Sequence, residues 1–304
     1  MRTPLVLVAS LAVVGLIGVA HPRPAHADVK IVATVPDLAS IAKEIGGKKV
    51  SVTALSLPSQ DPHFVDAKPS LVLKLAKADL LIAVGLELEV GWLPSLQTQA
   101  RNSKIQAGGA GFLDCSTSIS VKEAGNTDRA KGDVHPSGNP HYLYDPRRAG
   151  KCAKAIADKL AAIDPDNAKT YAAGYAAFAK RLDGARADWE ARLAAYKGAP
   201  VITYHASWIY LSDWLGLDQV ATLEPKPGIP PTPSHVAQVI KTGKAKGAKV
   251  VLQEAYYPDK TGKLVAKKLG GAVVSLPGGA DVGQGESYVD HMDQLVDKLA
   301  DALK

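Results

Sequence analysis

Three of the chain's eight histidines stand where the backbone is stiffened just before the imidazole: Asp61-Pro62-His63, Asn139-Pro140-His141 and Thr203-Tyr204-His205. Pro62 and Pro140 fix their own φ and bias Asp61 and Asn139 toward extended backbone, so each following histidine leaves a rigid bend. His205 ends the apolar run Ala199 to Tyr204, the pattern of a buried strand that delivers its last residue to a cleft. Imidazole is the commonest metal-binding side chain, and the three are read most simply as one metal site. No HExxH and no paired CxxC is present, so local spacing alone says little; the flanking residues carry the reading.

The elements that must position these side chains follow an α/β pattern. Short β-rich runs alternate with helical periodicity, the signature of parallel βαβ units. Strands are expected at 30–34, 50–55, 80–84 and 104–107, then at 201–204, 220–223, 249–253 and 272–276. Helices are expected at 38–45, 70–76 and 235–246, the last capped by Ser234. Between the halves, Asp164-Pro165 reads as an N-cap with proline at the first helical position, and Gly198 as the stop. Tyr171, Tyr175, Phe178, Leu182, Ala185, Trp189, Leu193 and Tyr196 recur at three- and four-residue steps, a single apolar stripe interrupted only by Gly174 and Gly184 outside it. At 1.5 Å per residue this helix is roughly 45 to 50 Å long and acts as a strut that limits lobe movement. The expectation is two similar lobes with parallel sheets joined by one long backbone helix: residues 28–163, 164–198 and 199–304. The polar stretch Cys115 to Pro140 is expected to be a mobile loop, and Glu224 to Pro233, with five prolines, a stiff connection.

Residues 1–27 read as a cleaved signal peptide, with Arg2, an apolar stretch and Ala25-His26-Ala27 before Asp28. No cysteine sits at the cleavage position and no later apolar run reaches the ~20 residues of a membrane span, so a periplasmic protein is expected. Cleavage removes Arg2 and Arg23 and no acid, taking the formal net charge from +6 to +4. That balance, with lysines scattered along helices, excludes a nucleic-acid partner. Cys115 and Cys152 are the only cysteines. An oxidising compartment permits a disulfide between them, worth ~4 kcal/mol by chain entropy, though sequence leaves the pairing open.

The order of motifs resembles the zinc- and manganese-binding solute-binding proteins of bacterial metal ABC transporters, the cluster A-I type. The match runs through Asp61-Pro62-His63, Lys68-Pro69-Ser70, Lys77-Ala78-Asp79-Leu80, Gly85-Leu86-Glu87-Leu88-Glu89 with Trp92, and Asn139-Pro140-His141-Tyr142-Leu143-Tyr144-Asp145-Pro146. It continues with His205, Tyr210, Gly216, Gln253-Glu254 and Gly285-Glu286-Ser287-Tyr288. The resemblance implies metal held in the cleft by His63 and His141 from the first lobe and His205 from the second. The family's fourth ligand, an aspartate about a dozen residues before the tyrosine, falls here on Leu276. Asp281, in the glycine-rich loop Gly278 to Gly285, is the first choice instead, with Glu286, Glu254, Asp61 or water as alternatives.

Three imidazoles plus one oxygen suit Zn²⁺ better than manganese, which prefers more oxygen ligands. The expected function is therefore capture of zinc and its delivery to an inner-membrane ABC permease. A monomer is expected, with a periplasmic metallochaperone as a possible further partner. The competing readings are an exported zinc hydrolase, disfavoured because no local motif places a general base, and a manganese-binding or adhesin-type member of the same fold. His135, His235 and His291 are read as surface residues, Asp145 as a helix cap, and Glu87 or Glu89 as either orienting a ligand's second nitrogen or making a surface salt link.

Overall fold

The computed structural model describes residues 28–125 and 135–304. The signal-peptide reading of residues 1–27 and the middle of the 115–140 loop lie outside the described residues.

The first lobe is built on a parallel sheet of β1 (Val29–Ala33), β2 (Val50–Ala54), β3 (Leu80–Ala83) and β4 (Phe112–Asp114), in the order β2-β1-β3-β4. Its helices are α1 (Pro36–Gly46), α2 (Pro69–Ala76), α3 (Leu93–Ala100) and α4 (Pro146–Ile163). The second lobe repeats the plan: β5 (Pro200–Thr203), β6 (Asp218–Thr222), β7 (Val250–Glu254) and β8 (Ala272–Leu276) lie in the parallel order β6-β5-β7-β8. It adds α6 (Ile209–Leu215), α7 (Pro233–Lys246), α8 (Asp259–Leu269) and α9 (Tyr288–Leu303). In each sheet the chain steps outward from the first strand to one neighbour and then crosses to the other side. Ligand crevices form at that reversal, beyond the carboxyl ends of the strands. Proline at the first helical turn starts α1, α2, α3, α4 and α7, where its missing N–H costs nothing.

Between the lobes runs α5 (Ala168–Leu193), extended by single 3₁₀ turns at Pro165–Asn167 and Ala194–Tyr196. Tyr171, Phe178, Leu182, Trp189 and Leu193 of the expected stripe are buried in one core that also holds Ile31 and Leu80 of the first sheet and Val201 and Val250 of the second. Burying each such side chain contributes about 1.5–3 kcal/mol. Polar links reinforce the strut. Arg181 of α5 pairs with Glu44 of α1 (3.1 Å) and Asp290 of α9 (2.6 Å), and Trp189 Nε1 donates to Asp293 of α9. Tyr288 of α9 donates its hydroxyl to the carbonyl of Leu143 and its N–H to Ser40 of α1, so the last helix of the second lobe is fastened to the first. Among the described residues no helix is long and apolar enough to cross a membrane.

Four local expectations are corrected. The run 104–107 is not a strand: Asn102 accepts from the Lys104 N–H and turns the chain into a 3₁₀ turn, so β4 starts only at Phe112. The cap of α7 is Thr232, whose hydroxyl accepts from the His235 N–H, because Pro233 takes the first helical position ahead of Ser234. Asp164 stands at the N-cap position with Pro165 opening the turn as expected, but its side chain makes no cap bond and accepts instead from Asn167 Nδ2 and, at 2.5 Å, from the Tyr171 hydroxyl. His291 is buried rather than on the surface, since helical spacing puts it with Tyr288 and Leu295 on the inner face of α9.

The two glycines of α5 separate packing from propensity. A Cβ on Gly174 would stand 2.1 Å from the Ile45 carbonyl oxygen of α1, whereas one on Gly184 meets nothing within 4 Å. Gly174→Ala is expected to lower stability by about 1–3 kcal/mol, and Gly184→Ala to raise it by about 0.5–1 kcal/mol. Urea unfolding of the two variants checks the signs.

Candidate metal centre

The two Asx-Pro-His segments share one local design. Asp61 Oδ1 accepts from the His63 N–H and Asn139 Oδ1 from the His141 N–H, both at 3.0 Å. These are Asx turns, which close the bend from the side-chain side while proline fixes it from the backbone side. Each bend is then anchored. Trp92 Nε1 donates to the Pro62 carbonyl (2.9 Å), and the Tyr210 hydroxyl donates to the Asn139 carbonyl (2.7 Å). Asn139 Nδ2 also donates to the carbonyl of Ala206, tying the second bend to the residue that follows His205. His205 itself leaves the carboxyl end of β5 two residues past the strand.

The imidazoles of His63, His141 and His205 form a nearly equilateral triangle, with ring centroids 5.1, 5.5 and 5.3 Å apart. One ligand atom of each lies within 4.8 Å of the others, and all three residues are buried. His63 Nδ1 is 2.7 Å from Asp61 Oδ1, and His205 Nδ1 is 2.7 Å from Glu224 Oε2. A carboxylate accepts, so these contacts keep the proton on Nδ1 and leave Nε2 as the acceptor nitrogen, which in His63 faces His135 Nε2 at 3.3 Å. His141 Nε2 is buried with no hydrogen-bond partner among the described residues. An unpaired buried polar atom costs about 1–3 kcal/mol, a debt that a cation between the rings would cancel.

The charges differ from ring to ring. Burial, then the neighbouring His63, His205 and His135, hold the His141 imidazole well below the usual histidine range. Burial also disfavours charge on His205, but the hydrogen bond and negative charge of Glu224 outweigh it and raise its proton affinity. Burial pushes the Asp61 carboxyl up, yet the hydrogen bond and charge of His63 leave it below the ordinary carboxylate range. Glu254, sealed in at the end of β7, is pushed up by its burial, and Tyr144 donates to it at 3.3 Å.

Asp281 is not brought into this triangle. Its carboxylate accepts from the Gln284 N–H and caps the turn Val282–Gln284, while its own N–H donates to Glu286. The loop is fastened from the other side, where Asp37 accepts from the Ala280 N–H at 2.8 Å. His135, expected in solvent, is half-buried with its Nε2 3.3 Å from that of His63. His235, also expected at the surface, is half-buried and its Nε2 bonds the Thr222 carbonyl. Asp145 caps α4 as expected. Neither Glu87 nor Glu89 orients a ligand. Buried Glu89 accepts from Thr34, Val84 and Gly85, and Glu87 accepts from Ser137. Sequence reasoning passed over Glu224. The stiff proline segment after it was the available signal, because Gly228 in that segment donates its N–H to Glu224 and fixes the carboxylate against His205.

A cavity of about 230 Å³ opens beside these rings, lined by Asp61, His63, His205, Glu224 and Tyr257. The geometry therefore offers a buried, nitrogen-rich site at the meeting of two lobes.

Comparison with known proteins agrees with this picture. The chain is 26% identical over 233 residues to the zinc-binding lipoprotein AdcA of Streptococcus pneumoniae serotype 4, a match covering 77% of this chain and 46% of AdcA. It thus spans about half the length of the AdcA relatives. It is 24% identical over 311 residues to the metal ABC transporter substrate-binding lipoprotein SloC of Streptococcus mutans, covering 99% of each. A crystal structure of ZnuA superposes with a TM-score of 0.76 at 26% identity, covering 91% of this chain and all of the other. The model of the family described as "ZnuA: Zinc-uptake complex component A periplasmic" matches residues 31–302, and the chain belongs to that family.

Proposed function

We propose that this protein captures Zn²⁺ between its lobes in the periplasm and delivers it to an ABC permease of the inner membrane, acting as a monomer after removal of residues 1–27. The carrying observation is the buried triangle of His63, His141 and His205, in which two Nδ1 atoms are held by carboxylates and the Nε2 of His141 has no partner among the described residues. Nitrogen donors without a thiolate suit zinc in tetrahedral geometry. Family membership supports transport rather than catalysis, and the naming of AdcA and SloC as lipoproteins supports a place outside the cytoplasm.

Two groups are proposed for the fourth position. Asp281 supplies an oxygen once the loop Gly278 to Gly285 gives up its cap on Gln284. His135 needs no such change, since it already stands against His63.

Protonation sets the pH response. Zinc takes the deprotonated imidazole. His141 sheds its proton below the ordinary value of ~6.5, so it is ready for metal at neutral pH. His205 keeps its proton to a higher pH because of Glu224, and zinc must displace it. Affinity is therefore expected to fall as pH drops through the region at and above the ordinary histidine value.

Competitive zinc titration should show His63→Ala, His141→Ala and His205→Ala each weakened by more than about 100-fold, beyond the roughly 10–100-fold typical of losing an orienting partner. Wild-type affinity in all three would end this reading. His135→Ala and Asp281→Ala in the same titration separate the two fourth-ligand candidates. Calorimetry in buffers of different ionisation enthalpy should find fewer protons released on zinc binding near neutrality in Glu224→Gln than in the wild type; an unchanged count would contradict the role given to Glu224.

A further inference from the structure

Away from the metal centre, Cys115 and Cys152 are fully buried in the core that contains Tyr142, the residue after His141. Cys115 opens the 3₁₀ turn Cys115–Ser118 that leaves β4, and Cys152 sits on the inner face of α4, packed against that turn. The Cys152 thiol donates to the Cys115 carbonyl oxygen at 3.8 Å, which sets its sulfur against the backbone of Cys115. Nothing else in the sequence offers either of them a partner, since these are the chain's two cysteines. The packing of the turn against the helix brings both side chains together.

We propose that Cys115 and Cys152 are joined by a disulfide formed while the chain folds in the presence of a small-molecule or protein disulfide oxidant. The cross-link closes the chain around residues 116–151, which include Asn139 and His141, and pins the start of α4 to the end of β4. The chemistry is two exchanges. One cysteine thiolate attacks the oxidant's disulfide, forming a mixed disulfide and releasing the first oxidant thiol. The second cysteine thiolate attacks the protein sulfur of that bond, forming the Cys115–Cys152 bond and releasing the second. Two protein thiols lose two electrons and two protons, and the oxidant's disulfide gains them as two thiols.

Timing follows from burial. The thiolate is the nucleophile. In the folded protein, contact with Cys152 and burial push the Cys115 thiol well above its ordinary range, and neither sulfur faces solvent. A folded, reduced chain therefore reacts slowly, whereas a folding chain exposes ordinary thiols that the native packing then brings together. The inference depends on the proposed export only for the natural source of oxidant, and it does not depend on zinc.

The test uses the full chain denatured and reduced, then refolded with chelator in a buffer of oxidised and reduced glutathione. Samples are quenched with a thiol-alkylating reagent in denaturant and weighed by mass spectrometry. The expected product is a monomer that takes no label, is lighter than the reduced chain by two hydrogens, and yields a peptide joining Cys115 to Cys152. Two labels, a persistent glutathione adduct or a cross-linked dimer overturns the proposal. Chain folded first under reductant and then moved to the same buffer should cross-link many-fold more slowly; an equal rate overturns the claim that bonding precedes closure. Cys115→Ser should take one label or one glutathione, which assigns the signal to this pair. Because chelator is present throughout, failure here leaves the zinc reading untouched, and failure of the zinc titration leaves this one standing.

Discussion

Asp61 and Glu224 accept from the Nδ1 atoms of two buried imidazoles at the same distance, 2.7 Å, one in each lobe. That pairing fixes the tautomer and aims Nε2 inward, and it supplies negative charge where a cation is proposed to bind. Without it, three buried histidines would be three costly polar groups whose ring orientation nothing decides. With it, His63 and His205 present lone pairs toward His141, whose own Nε2 lacks a partner among the described residues. The carboxylates are themselves fixed, Asp61 by its Asx turn and Glu224 by the Gly228 N–H, so the orientation is passed from backbone to carboxylate to ring.

The triangle spans two lobes, so it exists only while they keep their relation. Three independent devices maintain it. The apolar stripe of α5 is buried against both sheets, Arg181 bridges α1 and α9, and Tyr288 reaches from α9 to Leu143 and Ser40 in the first lobe. These contacts favour an exchange of metal through movement of small loops over a hinge opening of the whole molecule. The loop 278–285 and the segment around His135 are the elements nearest to that role. The first is tied to the first lobe by the Ala280 N–H on Asp37 and the Gly278 N–H on the Pro58 carbonyl, and the second by Ser137 on Glu87.

Much of this arrangement was legible in the sequence because it is governed by periodicity. The alternation of short β-rich runs and helices placed seven of the eight strands to within a few residues, and the stripe on α5 followed from three- and four-residue spacing. His63 and His141 were legible from the prolines before them, and His205 from the apolar strand that it ends. What escaped depends on side chains meeting across the fold. Glu224 pairs with a histidine 19 positions away, and His135 with one 72 positions away. Asp281 was chosen because it is the carboxylate nearest in sequence to the expected place, but such nearness does not reveal that its Oδ1 is already engaged in capping a turn. The misplaced fourth strand has the same origin, since a single Asn102 side chain turns the backbone where hydrophobicity alone suggested extension.

The central claim is that His63, His141 and His205 share one cation. X-ray absorption at the zinc edge, on protein carrying one equivalent of zinc, reads the ligand shell directly. The account predicts nitrogen or oxygen neighbours at roughly 2.0–2.1 Å together with the outer-shell scattering of at least three imidazole rings. A shell of sulfur at about 2.3 Å, or of oxygen with fewer than three imidazoles, would contradict it.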